Sequence, residues 1–288
     1  MSSPPQDLSL PLYQVLSARQ PDDSRALADV LARCRAQDPD FASSVRGGEV
    51  RVWARTPSEL RRRVAELTAA ASFAVEVGPP TVPPCWTPGR VAEAEHRLGT
   101  ADGGAGNFAV VRLRIVPRTS GEGNIFETEF AGPPQIDAFN DAVKRGVSIA
   151  WADGVEGEGR IIDTRTVFID GAFHSSRSTP AGFERAATAA MRSACASAAM
   201  RRLEPLVTVD IQVGRDHVLP VVNDLAAGGG SEVRRRLASS GVIVTVELPM
   251  RNFLAYEPRL ATLTQGAGKL IGEPQLTRWA EVRRTDRR

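Results

Sequence analysis

The stretch FASSVRGGEVRVWARTPSELRRRVAEL, residues 41–67, reads as a strand, a tight turn, a second strand and a helix in immediate succession. Phe41 to Val45 and Val50 to Arg55 are the strands, and Gly47-Gly48 between them permits the positive φ that a tight hairpin needs. Thr56-Pro57-Ser58-Glu59 is a capping box with proline at the first helical position, and Leu60, Val64 and Leu67 give the helix an apolar stripe. Upstream, Leu12 to Ala18 reads as a strand. Leu27, Val30, Leu31 and Cys34 then recur at i, i+3, i+4, i+7, which predicts a helix over Asp23 to Gln37. Downstream, Phe73, Val75 and Val77 alternate as a closing strand. The order β-α-β-β-α-β is a ferredoxin-like split βαβ unit. It is assigned to residues 10–79, after a polar, Pro-rich lead-in over residues 1–9 that is expected to be disordered.

Five prolines between Gly78 and Pro88 mark a stiff connector, and a domain boundary is placed there. The region 80–203 reads as a mixed domain. It has an alternating strand from Val110 to Val116, a Gly-rich turn, Phe126 to Phe130, a helix from about Ile136 to Arg145, and a strand from Arg160 to Ile169. Thr179 as N-cap and Pro180 in the first turn then open a long alanine-rich helix, with Phe183, Ala187, Ala190, Met191, Ala194 and Ala198 on its stripe. In residues 204–288 the first pattern returns. A strand Val207 to Val213 leads to a helix capped by Asp216, a hairpin of Val233 to Leu237 with Val242 to Leu248, a helix near Tyr256, and a strand Gln275 to Val282. The expected fold class is α+β: two ferredoxin-like βαββαβ domains flanking a different α/β domain.

With 42% hydrophobic and 24% charged residues in 288, the chain can bury a substantial core. No apolar run approaches the ~18 residues that cross a bilayer, and the first residues lack a signal peptide's pattern, so a cytoplasmic protein without a membrane partner is expected. Cys34, Cys85 and Cys195 form no Cys-x-x-Cys pair and read as buried apolar residues. A net charge of +2 does not imply a nonspecific polyanion binder, and no DNA partner is expected. Lys144 and Lys269 are the only lysines, so nearly all positive charge is arginine, bunched at Arg61-Arg62-Arg63, Arg201-Arg202 and Arg234-Arg235-Arg236. Such bunches suit phosphate contacts or a solvated face.

The domain order, with Leu203-Glu204-Pro205 entering a strand, Thr264-Gln265-Gly266-Ala267-Gly268 near the end and Ser178-Thr179-Pro180-Ala181-Gly182-Phe183 in the middle domain, resembles domains III, IV and V of elongation factor G and the tetracycline ribosomal-protection proteins. The likeness spans roughly residues 10–282 and is strongest over the last two domains. It implies a ribosomal-protein-S5-like middle domain. The GTPase domain of that family is not represented: the only Gly-Lys, Gly268-Lys269, is followed by Leu270, so no Gly-x-x-x-x-Gly-Lys-Ser/Thr cradle for phosphates exists. No catalytic constellation, cofactor or metal site is expected. His96, His174 and His217 are too scattered in sequence for one.

The resemblance places two loops at the tip of the middle domain, where the family meets RNA in the ribosomal decoding centre. Gly103, Gly104, Gly106, Asn107 and Phe108 form the first, in which glycine lets backbone approach closely and the ring can stack. Ala105 stands near the place where elongation factor G carries an arginine. His174, Ser175, Ser176, Arg177 and Ser178 form the second, offering donors and one charge. Arg234, Arg235 and Arg236 are a weaker RNA-binding candidate in the last domain, where strand alternation lets at most two share a face. The function implied is a ribosome-binding, translation factor-like protein that occupies the A site without GTP, protecting or modulating the ribosome, with drug resistance one such role. Two alternatives stand beside it: the non-GTPase half of a split factor served by a separate GTPase chain, and an interaction module that kept the fold and lost the ribosome.

Overall fold

The computed structural model describes residues 12–99, 108–131 and 136–281. The chain divides into two compact units, one holding the described residues up to Pro83 with Glu204–Ala280, the other Pro84–Leu203 with Glu281.

In the first unit, β1 (Leu12–Ala18), α1 (Ser24–Gln37), β2 (Ser43–Arg46), β3 (Glu49–Ala54), α2 (Pro57–Ala70) and β4 (Val75–Val77) give a four-stranded sheet of order β2-β3-β1-β4. This is the ferredoxin-like unit expected from the sequence. The capping box is formed: the Thr56 hydroxyl accepts from the Glu59 amide, and the Glu59 carboxylate accepts from the Arg55 amide at 2.8 Å. Leu12, Leu16, Val50, Val52, Leu60 and Leu67 fill the space between sheet and helices.

The Arg61-Arg62-Arg63 run divides. Arg62 pairs with Glu66 and Asp38 at the surface, whereas Arg63 is 4% exposed. Its guanidinium donates to the carbonyls of Trp53 (2.6 Å) and Asp40 (2.7 Å), pairs with Glu59 at 2.8 Å and lies over the Phe41 ring. Arg63 therefore ties helix to sheet and is unavailable to phosphate.

The second unit opens with β5 (Cys85–Thr87) and a hairpin of β6 (Ala92–Leu98) with β7 (Ala109–Pro117). There follow β8 (Ile125–Thr128), α3 (Ile136–Asp153), β9 (Arg160–Ile161), β10 (Thr164–Ala172) and α4 (Pro180–Ser197). The main sheet has the order β6-β7-β10-β8, with β10 antiparallel to β7 and parallel to β8. Ala109, Val111, Leu113 and Ile115 alternate inward to meet the apolar faces of α3 and α4.

Three expectations for this unit are corrected. The strand β6 was not read, because its outward residues are Glu93, Glu95 and Arg97 and its inward ones, Leu98 apart, are small or polar, a composition depleted in strands. The helix predicted to stop at Arg145 continues to Asp153, through Gly146, which is buried in the contact with α4. The single strand Arg160 to Ile169 is two, broken at Asp163, whose φ is 53°. That conformation aims the buried Asp163 carboxylate at the amides of Gly121 (3.1 Å) and Gly123 (2.8 Å), closing the turn between β7 and β8.

The strand β11 (Arg201–Val213) pairs through Arg201–Leu203 with β5, and from Leu206 onward with β13 (Gly241–Pro249). With α5 (Val218–Ala227), β12 (Ser231–Ala238), α6 (Met250–Leu254), α7 (Tyr256–Leu263) and β14 (Lys269–Glu281), it completes the second ferredoxin-like domain. Its strands run β12-β13-β11, with β14 on the far side of β11.

Candidate nucleic-acid interface

The antiparallel pairing of β7 with β10 carries Ala172 opposite Val110, so Phe108 and the loop that follows Ala172 emerge at the same end of the sheet. A bulge at Ile169 shifts the register just before this end. Phe173 packs on Phe139 of α3, which stacks on Phe183 of α4 at 4.4 Å between centroids, and these rings form the floor of the loop.

Above the floor the loop is braced by its own polar groups. The Ser178 hydroxyl accepts from the His174 amide (2.8 Å) and donates to the Phe108 carbonyl (2.8 Å), so one side chain fixes both chain segments. The His174 carbonyl accepts from the amides of Arg177 and Ser178. Nδ1 of His174 lies 3.3 Å from the Ser176 amide, which can only donate, so Nδ1 is the bare nitrogen and Nε2 carries the proton of the neutral ring. Thr179 then caps α4, accepting from the Gly182 amide. Ser178 is thus a brace, and the Ser176 hydroxyl also lies 3.3 Å from Nδ1 of His174. Ser175 and Ser176 are exposed. Nη1 of Arg177 is buried and has no acceptor among the described residues.

Gly103, Gly104, Gly106 and Asn107 lie outside the described residues. Phe108 does not: it is half-buried, and the Arg97 guanidinium of β6 sits over its ring at 5.4 Å. Sequence reading missed Arg97, whose signal was the alternation Glu93, Glu95, Arg97 on the outward side of an unrecognised strand. It supplies a cation at the base of the first loop.

Ser178→Ala is expected to leave the His174 amide and Phe108 carbonyl without partners, weakening the loop locally by about 1–2 kcal/mol. Exchange of the His174 amide proton should then quicken roughly tenfold, while core amides keep their rates. An unchanged rate would mean another group holds that amide.

Arg234, Arg235 and Arg236 are separated by strand alternation as expected. Arg234 and Arg236 reach Thr245 and Asp210, and Arg235 turns to Glu232 at 2.7 Å. The Thr245 hydroxyl, and after it the Arg236 guanidinium, hold the Asp210 carboxyl below its ordinary range, so it is charged near neutrality. Two of the three arginines are therefore already matched by carboxylates.

The described residues bring no triad of nucleophile, base and orienting group together. Among the described residues no group of three His, Cys, Asp or Glu side chains could hold a metal, and burial pushes the Cys85 and Cys195 thiols up to about 12, removing them as nucleophiles. No described helix is long and apolar enough to cross a membrane.

Residues 80–199 match the model of elongation factor G, domain IV, and residues 201–286 that of the elongation factor G C-terminus. The chain belongs to the elongation factor G family. It is 30% identical over 253 residues to elongation factor G 2 of Hahella chejuensis, spanning 88% of this chain and 37% of that one. Elongation factor G 2 of Streptomyces coelicolor is 29% identical over 273 residues, spanning 91% and 40%. The chain thus covers well under half the length of these relatives. A crystal structure of a Thermus thermophilus protein superposes with a TM-score of 0.70 at 24% identity, over 98% of this chain and 42% of that one, and shows the same fold. The sequence given contains no Gly-x-x-x-x-Gly-Lys-Ser/Thr motif.

Proposed function

We propose that the chain binds the ribosome and seats the tip of its middle domain in the A site, as a GTP-independent factor that protects or modulates the ribosome. The observation that carries this reading is the loop 173–179, pre-built by Ser178 and holding His174, the exposed Ser175 and Ser176, and a half-buried Arg177 within five residues. Such a set hydrogen-bonds phosphates and exposed base edges of folded RNA without ordering itself first. The N-terminus of the 18-residue helix α4, directly behind the loop, adds a favourable field for phosphate. Arg97 and Phe108 offer a cation and a ring at the neighbouring strand ends, the cation that Ala105 cannot supply. Acting alone, a chain without a hydrolysis step leaves by dissociation, which suits an occupant of an empty site better than a motor.

Co-sedimentation of the purified chain with vacant ribosomes over a salt series tests the reading. Binding is expected at low salt and should fall steeply as salt rises, as phosphate contacts do. Changing His174 and Arg177 together to alanine should weaken it at least about tenfold, since hydrogen bonds from charged groups contribute about 1.5–3 kcal/mol. Failure to pellet with ribosomes at the lowest salt would discard the reading.

A further inference from the structure

In the first ferredoxin-like sheet, the order β2-β3-β1-β4 puts β1 and β3 in the centre. One face of these strands is covered: Leu12, Leu16, Val50, Val52 and Ala54 point into the core beneath α1 and α2. Alternation sends Tyr13, Arg51 and Trp53 to the other face, and the register sets Tyr13 directly opposite Trp53. Their rings lie side by side, centroids 4.7 Å apart and planes tilted by 40°, and both remain partly exposed. Arg51, opposite Val15, holds its guanidinium 5.4 Å from the centre of the Tyr13 ring.

Arg51 differs from the ion-paired arginines of this chain. Arg62, Arg112, Arg114, Arg165, Arg235, Arg236, Arg259 and Arg278 all meet a carboxylate, whereas Arg51 has no ion pair among the described residues, and its Nε has no hydrogen-bond partner. A cation over an aromatic ring, beside a second ring, on the two central strands of one sheet face, matches the flat, anionic chemistry of unpaired nucleotides. Unstacked bases can lie on the rings while the guanidinium stacks or meets a phosphate.

We propose that the outer face of the first ferredoxin-like sheet is a stacking platform for single-stranded RNA, built from Tyr13, Trp53 and Arg51 and separate from the middle-domain tip. It takes bases by their faces, so its sequence preference is weak and it discriminates against duplex, whose bases are already stacked.

The test is fluorescence anisotropy of the full chain with a labelled, unstructured RNA of about 10 nucleotides, within the span such surfaces cover, and with the same strand annealed to its complement. The single strand should bind and the duplex should bind more weakly. Tyr13→Ala and Trp53→Ala should each weaken binding about tenfold. Arg51→Gln, which removes charge without emptying packed space, should weaken it with an unchanged thermal melt. His174→Ala with Arg177→Ala should leave it as it was. The inference is overturned if the RNA does not bind at low salt, if the duplex binds as well, or if folded Arg51→Gln and Tyr13→Ala variants bind like the original. Loss on changing the tip residues instead would place the RNA at the tip and equally overturn it. Ribosome co-sedimentation is read separately, so failure of the platform and failure of the A-site reading remain distinguishable.

Discussion

Gly146→Ala is expected to destabilise the protein by about 3 kcal/mol, at the upper end of what overpacking costs, even though alanine favours a helix by roughly 1 kcal/mol over glycine. A Cβ built at Gly146 lies 2.2 Å from the carbonyl oxygen of Glu184 and 2.9 Å from the Ala187 Cβ. Neither can turn aside: one is backbone and the other a methyl on a buried helix face. The Gly146 carbonyl also accepts from the Thr188 hydroxyl at 3.0 Å, a bond that holds only while the helices stay close. To admit a methyl, α3 and α4 must separate, and α4 cannot retreat because its opposite side packs on β6 and β7. Thermal unfolding of the second unit should fall by on the order of 10 °C, against no change for Lys144→Ala, exposed on the same helix. A melt within a degree of the original would show that the contact relaxes freely. Since α4 begins at the tip loop, the same change should loosen ribosome binding.

The second large effect falls in the first ferredoxin-like domain. Arg63→Ala removes the two donors that satisfy the carbonyls of Trp53 and Asp40 and leaves Glu59 without its partner. Breaking one side of a buried pair typically costs about 3–5 kcal/mol. The lower figure, about 3 kcal/mol, is expected here because Glu59 is partly exposed and can recover water. Arg63→Lys should recover less than half of the loss, since an ammonium is a single point of donation where the guanidinium fork spans two carbonyls and a carboxylate. Urea unfolding followed by Trp53 fluorescence measures both, and equal stability of the lysine variant with the original would contradict the fork argument.

These two residues also mark where sequence and structure part. The elements with their own local grammar were legible. The Thr56 to Glu59 box and the Thr179-Pro180 start appear in the structure with the bonds their residue types require, and the first strand runs from Leu12 to Ala18 as read. What failed depended on neighbours far along the chain. Glycine at 146 reads as the end of a helix because propensity is local, whereas its reason for being there is the backbone of α4 some forty residues later. Arg63 reads as one of three surface arginines, and only the fold shows that α2 turns this one inward. The strand β6 carries almost no apolar signal, and with it Arg97 escaped notice.

The candidate site was legible in part and for a different reason. His174 to Ser178 were picked out by resemblance and loop chemistry, and that reading could not divide their labour. The structure does, giving Ser178 the bracing role, leaving Ser175 and Ser176 exposed and burying Nη1 of Arg177 without an acceptor among the described residues. The arginines 234–236 were legible as a cluster but not as partners of Glu232 and Asp210, because those carboxylates reach them across a bulge and from β11, the strand beyond β13.

The central claim, that the tip of the middle domain enters the A site, is tested most directly by chemical probing of ribosomal RNA in the bound complex. With the chain at saturation, bases of the decoding centre are predicted to be protected from modification, and that protection should disappear with the His174→Ala, Arg177→Ala variant held at saturation. Protection confined to other regions of the ribosome, or decoding-centre protection that survives the double change, would contradict the account.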